Sequence, residues 1–458
     1  MRVVVVGAGF AGMAAACRLA GDGHSVAVLE AAPRLGGRAA SFERNGRRLD
    51  CGQHVLLRAC GAAQGFLERI GASDAVRFQE SLAIPILLDG RRSVLRSWPL
   101  PGITHLLPAL LGYQRLSGRE RLAAARAGLA LWISRSSREE AFAEWLARRR
   151  QTEKTIRLLW DPIVIATLNA HVEAVSLRAA RQVFRDAFFV PHGADMGLFT
   201  VPLGDVFDAA RRYLEARDSR VEVDAHVERV LARDGRALGV RRADGREGTG
   251  DAVIVAVPPD ALAGLTAEIP EVRHIVGAAQ LLEWAPIVNV HLTFDRKVLD
   301  DAFAIGIDSR IQAIFARSST NESQTLVLSE SSASEWIDRP DEDVVETLTK
   351  ALRDLLPAAR DAALLDSLVL RHRKATFVPA PGSGALRPKS RTPISSLYIA
   401  GDWTASGWPS TIESAVLSGV YAAAALESDA AACCLPAAES DAATLAETDI
   451  TAEGAEER

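Results

Sequence analysis

The chain opens with an alternation of apolar and mixed segments. Residues 2–6 form a β-branched run, residues 11–21 an alanine-rich helical pattern, and "SVAVL" at 25–29 a second apolar run. The first and third segments predict buried strands, and the second predicts a helix. Because parallel strands need such a crossover, we expect the chain to begin with a strand, helix, strand unit of a parallel sheet.

Later segments repeat parts of this pattern at long intervals. Helical patterns dominate from about 100 to 190, most clearly in "EEAFAEWLARRR" and "VSLRAARQVFRDAFF". Apolar runs or alternation predict strands at residues 221–231, 237–242, 251–259, 285–295, 324–331 and 395–403, and a helix at 342–356. Short strands that end in turns thus stand at the start, middle and end of the chain, so the domains are expected to be discontinuous.

Length and composition are those of a globular protein. The 458 residues, 48% hydrophobic and 24% charged, allow two or three domains. The formal charge of −5 is unevenly distributed. Residues 427–458 hold nine Asp and Glu against one Arg, so the rest of the chain has a net charge of about +3. This balance excludes the basic surface of a nucleic-acid-binding protein. The acidic tail at 428–458 lacks aromatic residues and is predicted to be disordered.

The cysteines do not predict a disulfide or metal framework. They stand at positions 17, 51, 60, 433 and 434, which gives neither paired spacing nor a zinc CxxC pattern. No metal site is predicted, and a reducing, cytoplasmic compartment is favoured. The N-terminus enters the first strand directly, without the apolar core of a secretion signal.

Residues 97–116 are the longest apolar window. Three prolines interrupt it, and it falls short of the roughly 20 apolar residues of a membrane span. Trp98 and Tyr113, beside the basic run at 117–126, suit a membrane interface. Two interpretations stay open: peripheral contact with the inner face of a membrane, or a helix pair that covers the core.

"VVVVGAGFAG" carries the first chemical motif. Gly7, Gly9 and Gly12 have G-x-G-x-x-G spacing between the first strand and the first helix. Gly7 permits the tight turn, Gly9 a close approach to a pyrophosphate, and Gly12 close helix packing. The helix N-terminus offers N–H groups to phosphates, and Glu30, at the end of the second strand, suits ribose hydroxyls. The motif predicts a dinucleotide site, with a glycine-rich structural turn as the alternative.

A second glycine pair follows Glu30 in "RLGGR" at 34–38. Gly36 and Gly37 allow another close backbone approach, and Arg38 can place its guanidinium on phosphate oxygens. This stretch resembles the extended ADP-binding signature of the FAD-dependent amine oxidase and phytoene desaturase superfamily. The resemblance implies FAD as the cofactor.

Further blocks resemble the superfamily in the same order. "VEVDAHVERV" at 221–230 is similar to the strand pair in which the backbone of Val227 would meet adenine. "LYIAGDWTASGWPSTIESAVLSGVYAAAAL" at 397–426 resembles the C-terminal flavin motif, which implies that Gly401 and Asp402 meet the ribityl or pyrophosphate region. A helix that starts near Ser410 or Thr411 would direct its N-terminus at the flavin pyrimidine carbonyls.

The resemblance covers residues 3–426 and implies an α/β fold. We expect a Rossmann-type, glutathione-reductase-like FAD-binding domain with an inserted, discontinuous α+β substrate domain. The expected segments are 1–80, 195–270 and 385–427 for the FAD-binding domain, 81–194 and 271–384 for the substrate-binding domain, and 428–458 for the tail.

Finer details resemble one branch of the superfamily. "LDCGQHVLL" (49–57), "LLWDPIVIATLNA" (158–170) and the C-terminal block are similar to the squalene-associated flavoproteins known as hydroxysqualene dehydroxylases. The resemblance implies an apolar C30 isoprenoid substrate and reductive dehydroxylation of hydroxysqualene to squalene by FADH2. Two alternatives stay open: a carotenoid (phytoene-type) desaturase with the opposite hydride direction, and a non-catalytic prenyl-binding escort-type protein. The residues do not identify the reductant.

Cys51, Gln53 and His54 stand together in the stretch 49–57. A metal pair or a nucleophile with its base is disfavoured, because no further ligands converge and Cys51 lacks a catalytic context. Gln53 and His54 are the candidate catalytic residues, since the resemblance implies that this stretch runs beside the isoalloxazine. Proton transfer, orientation of the flavin and simple packing are all open for His54. Gln53 would bond the ring or the substrate hydroxyl.

Overall fold

The computed structural model describes residues 1–134, 139–319 and 323–434. Their strands are β1 (Arg2–Val6), β2 (Ser25–Leu29), β3 (Ser41–Arg44), β4 (Arg47–Asp50), β5 (Val55–Leu57), β6 (Val76–Phe78), β7 (Ala83–Leu88), β8 (Arg91–Arg96), β9 (Met196–Phe199), β10 (Arg220–Glu222), β11 (Val227–Arg233), β12 (Arg236–Arg242), β13 (Glu247–Thr249), β14 (Ala252–Val255), β15 (Trp284–Phe294), β16 (Phe303–Gly306), β17 (Ala313–Ser319), β18 (Gln324–Ser331), β19 (Leu364–Phe377) and β20 (Leu397–Ile399).

The α-helices of the same ranges are mostly short. They are α1 (Phe10–Gly21), α2 (Gly61–Arg69), α3 (Leu107–Gly112), α4 (Gly118–Ile133), α5 (Phe142–Arg148), α6 (Glu153–Thr155), α7 (Asp161–Leu168), α8 (Leu177–Val183), α9 (Leu203–Glu215), α10 (Pro259–Leu265), α11 (Arg273–Gln280), α12 (Asp341–Leu355) and α13 (Ile412–Cys434). The long helical pattern predicted at 175–189 is α8 followed by a π-helical turn, Phe184–Phe188.

A parallel sheet brings the two ends of the chain together. Its strand order is β10, β2, β1, β14, β20, so β1 and its glycine loop lie near the centre. Val3 of β1 is aligned with Val26 of β2 on one side and with Ala252 of β14 on the other. The predicted strand, helix, strand unit is present, and distant segments complete its sheet.

Both faces of this sheet are covered, which explains why its strands are continuous apolar runs. Helices α1, α2, α9 and α13 pack on one face. Helices α10 and α11 and the small sheet β11–β12–β13 pack on the other. A Cβ at Gly419 of α13 would lie 2.1 Å from the Ala11 carbonyl oxygen of α1, so these helices are in close contact.

A second, mixed sheet has the order β19, β15, β18, β17, β16, β7, β8. One face packs on α12, with Val290 of β15 and Leu348 of α12 in the same core. Side chains alternate along a strand, so His291 lies on the opposite face from Val290. That opposite face meets the small sheet β5–β9–β6, where Leu198 packs on Phe303 and Val327.

Two predictions about local structure are wrong. The single strand expected at 221–231 is two strands in different sheets, because the chain turns at Asp224, whose φ is +51°. Residues 428–434, expected in the disordered tail, continue helix α13, and their alanine-rich sequence favours helix. The rest of the predicted tail, 435–458, lies outside the described residues. Within the described ranges, every helix is too short or too polar to cross a membrane.

Candidate active site

The loop between β1 and α1 contains two glycines that the fold itself requires. Gly7 has a φ of +99°, and a Cβ at Gly12 would lie 1.9 Å from the Gly7 carbonyl oxygen. At Gly9, by contrast, the nearest atom to a Cβ is the Gly36 carbonyl oxygen at 3.9 Å. The protein alone tolerates a side chain at position 9, and the space beside it fits the pyrophosphate predicted there.

Glu30 directly follows β2 and faces this loop. Its Oε2 accepts a hydrogen bond from the Ala8 N–H at 2.7 Å, and its Oε1 accepts one from the Ala32 N–H at 2.9 Å. Each carboxylate oxygen keeps a second lone pair. Glu30 therefore holds the loop in place and retains capacity for the predicted bonds to ribose hydroxyls.

The second glycine segment lies against the first. The Gly36 N–H donates to the Ala8 carbonyl oxygen at 2.9 Å, and a Cβ at Gly37 would lie 3.7 Å from the Gly9 Cα. Both Gly36 (φ +111°) and Gly37 (φ +54°) have left-handed backbone conformations. The two segments that the sequence analysis selected separately therefore form one surface.

Arg38 extends from this segment to the C-terminal turn. Its Nη2 forms an ion pair with the Asp402 carboxylate, and its Nη1 donates to the Ala375 carbonyl oxygen at 2.6 Å. The guanidinium also lies 5.7 Å from the centre of the Trp284 ring. Arginine has five N–H donors, so these bonds leave donors for a phosphate. The phosphate contact of Arg38 stays a prediction.

The C-terminal turn is fixed by hydrogen bonds of its own side chains. Asp402 is buried, and its Oδ2 accepts a hydrogen bond from the Ser410 hydroxyl. The Thr411 hydroxyl accepts the Ser414 N–H at 3.2 Å, and helix α13 begins at the next residue. The helix thus begins within two residues of the predicted positions. Ser410 and Thr411 precede its first turn and are not part of it.

Gly401 and Val227 are two further residues that are predicted to contact FAD. Gly401 has a φ of +152°, and a Cβ there would lie 2.3 Å from the indole nitrogen of Trp403. Val227 begins β11 and is buried, and the nearby Ala225 N–H donates to the Glu30 carbonyl oxygen at 2.8 Å. The structure therefore brings the segment that precedes Val227 to the end of β2, at the backbone of Glu30.

The stretch from Cys51 to His54 crosses the polar face of the second sheet. The Gln53 N–H donates to the Asn289 Oδ1 at 3.4 Å, and the His372 Nε2 lies 2.6 Å from the Cys51 carbonyl oxygen. Burial raises the pKa of the Cys51 thiol, which disfavours a thiolate nucleophile. This stretch joins the glycine segments to the second sheet.

His54 is held in one tautomer. Its Nδ1 lies 2.9 Å from the Gly52 carbonyl oxygen, which can only accept, so Nδ1 carries the proton and Nε2 the lone pair. Burial lowers the pKa of His54 to about 4, although Asp50 and the Gly52 carbonyl act in the opposite direction. At physiological pH the ring is then neutral. This favours a hydrogen-bond acceptor over a proton donor, and the role of His54 stays a prediction.

A cavity of about 680 Å³ lies between the β3–β4 hairpin, the β5–β9–β6 sheet and the second sheet. Its volume is typical of small-molecule sites. Gln53 lines it, whereas His54 is not part of its wall. Its walls are largely apolar with a few charged and polar groups; they include Leu198, Phe199, Phe303, Ala316 and Val327 together with Asp50, Gln79, His291, Arg317 and Thr325.

Asp50 and Arg317 form an ion pair in this wall. The Arg317 Nη2 donates to the Asp50 Oδ2 at 2.8 Å. The other carboxylate oxygen accepts the Ser41 hydroxyl at 2.7 Å and the Leu203 N–H at 2.8 Å. Because donors surround Asp50, it is a fixed part of the wall and a poor candidate for a proton donor.

The sequence analysis missed His291. Its side chain lies in the cavity wall, is 7% exposed, and has no hydrogen-bond partner at either ring nitrogen among the described residues. A signal existed in "VNVHLTF", where Asn289, His291 and Thr293 alternate with apolar residues. Such alternation indicates a strand with one polar face, here the face toward the cavity.

One exposed group elsewhere has the composition of a metal site. Asp161, His171 and Glu173 place ligand atoms within 4.8 Å of one another. The His171 Nδ1 lies 2.7 Å from the Asp161 Oδ2, and this hydrogen bond raises the pKa of His171. A surface ion pair explains this contact, so the group adds nothing to the candidate active site.

Three segments that are remote in sequence thus form one surface, the dinucleotide cradle (residues 7–12, 36–38 and 401–411). The cradle is joined by the 51–54 stretch to a cavity lined by a second sheet. A parallel sheet with a glycine loop after its first strand and a cavity beside it is typical of nucleotide-dependent oxidoreductases.

Comparisons with known proteins identify the family. The model for flavin containing amine oxidoreductases matches residues 10–426, so the chain belongs to this family. The hydroxysqualene dehydroxylase of Sinorhizobium fredii is 28% identical over 92% of this chain and 97% of that protein. The 15-cis-phytoene desaturase of Solanum lycopersicum is 25% identical over 94% of this chain and 78% of that protein.

A solved structure supports the fold. An oxidoreductase from Methanosarcina mazei has a TM-score of 0.74 and 20% identity, over 92% of this chain and 99% of that one. The predicted superfamily, α/β fold class and FAD cofactor are confirmed. The chain is an FAD-dependent oxidoreductase. The contacts of its individual residues with FAD stay predictions.

Proposed function

We propose that this enzyme removes the hydroxyl group of hydroxysqualene reductively and releases squalene. The observation that supports this most is the similarity to the S. fredii hydroxysqualene dehydroxylase, which extends over 97% of that protein. The cavity agrees with such a substrate, because apolar walls suit an isoprenoid chain and a few polar groups suit a single hydroxyl.

The reaction balances as the replacement of a hydroxyl group by hydrogen. The carbon–oxygen bond breaks, the oxygen leaves as water after it receives a proton, and the carbon gains a hydride; the proton consumed equals the one that FADH2 would release on oxidation to FAD. Reduced FAD, when bound, supplies the hydride and its two electrons. With substrate bound, the apolar walls around Leu198, Phe303 and Val327 would limit the access of bulk water to the carbon that is losing its oxygen.

Different residues of the dinucleotide cradle would contact different parts of FAD. Gly9 would leave room for the pyrophosphate, Glu30 would accept bonds from the ribose, and Arg38 would face phosphate oxygens. The N-terminus of α13, after Thr411, would stabilise negative charge on the reduced ring.

Gln53 and His54 would act at the boundary between the cradle and the cavity. The Gln53 amide already donates to the His54 carbonyl oxygen at 3.1 Å, which fixes its side chain in the cavity wall. With its Nδ1 proton committed to Gly52, His54 would orient the flavin or substrate through its Nε2 lone pair. Neither role requires a protonated imidazole.

Carotenoid desaturation is the second candidate. Its support is the similarity to the tomato phytoene desaturase over 94% of this chain. A neutral His54 whose Nε2 can accept a proton also suits a reaction that removes hydrogen. A non-catalytic prenyl-binding role is disfavoured by the complete set of glycine and carboxylate contacts in the cradle.

A product assay distinguishes these candidates. The holoenzyme would be incubated without oxygen in two parallel reactions, hydroxysqualene with reduced FAD and phytoene with oxidised FAD. Squalene from the first and unchanged phytoene from the second would support dehydroxylation. Desaturated phytoene and no squalene would assign the alternative reaction. A purified protein that binds prenyl chains but no flavin would indicate the escort-type role.

We further propose that the segment 97–116 contacts a membrane surface, from which an apolar substrate is taken up. Trp98 is 60%, Leu107 40% and Leu111 63% exposed, whereas Leu106 and Leu110 pack on the helical core. Exposed tryptophan and leucine side chains suit the lipid interface.

Liposome flotation tests this contact. The double variant Leu107→Asp/Leu111→Asp should lose most vesicle binding, while Leu281→Asp, at a leucine that is 69% exposed elsewhere, should retain it. Equal flotation of both variants and the wild type would remove the segment from the proposal.

A further inference from the structure

We propose that His291 binds the hydroxyl group of the substrate and makes the cavity select alcohols over hydrocarbons. This inference rests on the proposed function and assigns one residue to the specificity of that site. It concerns a substrate contact, and it does not require His291 to transfer a proton.

The first observation is an unsatisfied buried imidazole in the cavity wall. His291 is 7% exposed, and both ring nitrogens are buried without a hydrogen-bond partner among the described residues. Buried polar groups are paired in the great majority of cases. His291 lines the cavity, so a small rotation of its ring would bring an unpaired nitrogen to a partner that enters the cavity.

The neighbouring side chains do not provide that partner. In the sheet, His291 is aligned with Val327 on one side and with Leu368 on the other, and both are apolar. Thr325 shares a hydrogen bond with Thr293 at 3.0 Å. The two residues aligned with His291 therefore offer it no polar partner, and the Thr325 hydroxyl is already paired.

The ring of His291 suits an uncharged partner. Burial, and next the positive charge of Arg317, lower the pKa of His291 to about 4, so the ring is neutral at physiological pH. Four arginines line the same cavity, and one of them, Arg317, is paired with Asp50 at 2.8 Å. The neutral ring itself is the better match for an uncharged polar group.

A hydroxyl group matches the chemistry of a neutral imidazole. The ring offers one N–H donor and one lone pair, and a hydroxyl can both accept and donate. Val327 of the adjacent strand β18 and Phe303 of β16 offer only apolar surface to the hydrocarbon part of the substrate. A hydrocarbon substrate such as a carotene would leave both nitrogens of His291 unpaired.

The test compares binding of two ligands that differ in the hydroxyl group. Hydroxysqualene and squalene would be titrated, in detergent micelles, into holoenzyme with oxidised FAD, and the flavin absorbance change would report binding without turnover. The wild type should prefer hydroxysqualene. His291→Leu should lower that preference by about tenfold while changing the affinity for squalene less than twofold.

Two further variants serve as controls for His291→Leu. Thr349→Val, which removes a buried hydroxyl of α12 that has no partner among the described residues and does not line the cavity, should keep the wild-type preference. His291→Gln, which retains a donor and an acceptor, should restore part of it. FAD content and thermal unfolding would be measured for each variant, and His291→Gln provides the comparison if His291→Leu does not fold.

The outcomes separate this inference from the proposed function. A folded, FAD-bound His291→Leu enzyme with unchanged preference, or a wild type without preference, would overturn the role of His291. A wild type that prefers hydroxysqualene but forms no squalene with reduced FAD would contradict the proposed reaction and support the hydroxyl site.

Discussion

The guanidinium of Arg38 is ion-paired with the carboxylate of Asp402, although 364 residues separate them along the chain. The pair joins the second glycine segment to the C-terminal turn, and the Ser410 hydroxyl holds the other oxygen of the same carboxylate. The dinucleotide cradle is therefore complete only when both ends of the chain have folded together.

Removal of this ion pair should weaken FAD binding. Asp402→Asn keeps the shape of the side chain but loses its charge, and a hydrogen bond to a charged group contributes about 1.5–3 kcal/mol. We expect the dissociation constant for FAD, measured by recovery of flavin fluorescence, to rise by roughly 10- to 100-fold. Asp366→Asn, which removes the ion pair between Asp366 and Arg44 away from the cradle, should leave the dissociation constant for FAD unchanged. Equal FAD affinity in both variants would exclude the pair from cofactor binding.

Substitution at Gly9 separates cofactor binding from folding. A Cβ at Gly9 has its nearest neighbour at 3.9 Å, so Gly9→Ala should fold with an unfolding temperature near that of the wild-type apoprotein. The methyl group would occupy the space predicted for the pyrophosphate, and the purified variant should lack flavin absorbance. Gly12→Ala should instead fail to fold, since its Cβ would lie 1.9 Å from the Gly7 oxygen. A yellow, FAD-saturated Gly9→Ala protein would be evidence against the predicted pyrophosphate position.

The low pKa of His54 gives its role a pH signature. With a pKa of about 4, the ring stays neutral from pH 8 down to pH 5 and gains a proton only below that range. His54→Ala should keep FAD but lower kcat by roughly 10- to 100-fold if the ring aligns the reactants. The wild-type kcat should show no step near the ordinary histidine pKa of about 6.5. Such a step, absent from His54→Ala, would show that His54 acts as a titrating acid.

Glu330 should make the folded protein less stable as the pH rises. It is buried in the core under the second sheet, where both carboxylate oxygens face the Gln312 N–H at 3.3 Å. Burial raises its pKa well above the usual 4.5, so the folded state retains a proton that the unfolded chain releases above about 4.5. This component of stability is present at low pH and is lost as the pH rises toward the folded-state pKa.

Glu330→Gln removes the titrating group and keeps an acceptor for Gln312. Thermal unfolding followed by circular dichroism should show the variant gaining stability relative to the wild type between pH 5 and pH 8. A constant difference across that range would mean that Glu330 does not titrate with folding.

Local patterns in the sequence predicted the elements that depend on nearby residues. The strand at 2–6, the helix at 11–21 and the strand at 25–29 match β1, α1 and β2 within one residue. The predicted strand at 221–231 was wrong because the alternation of apolar residues does not reveal that Asp224 redirects the chain into another sheet.

Contacts between distant residues could not be predicted in the same way. Nothing near Arg38 in the sequence indicates Asp402 as its partner, and His291 becomes notable only when the fold leaves its ring unpaired beside a cavity. The glycine motifs were predictable because their chemistry depends on local backbone geometry. The cavity was not predictable, because its walls come from the β3–β4 hairpin, the β5–β9–β6 sheet and the second sheet, which are distant in sequence.

Anaerobic single turnover tests the proposed reaction most directly. Holoenzyme reduced with one equivalent of dithionite would be mixed with hydroxysqualene, and flavin absorbance and extracted squalene would be followed together. We expect the oxidised flavin spectrum to return with formation of one squalene for each flavin, and no reoxidation with phytoene. Flavin that stays reduced and yields no squalene, in an enzyme whose oxidised form is reduced by phytoene, would contradict dehydroxylation.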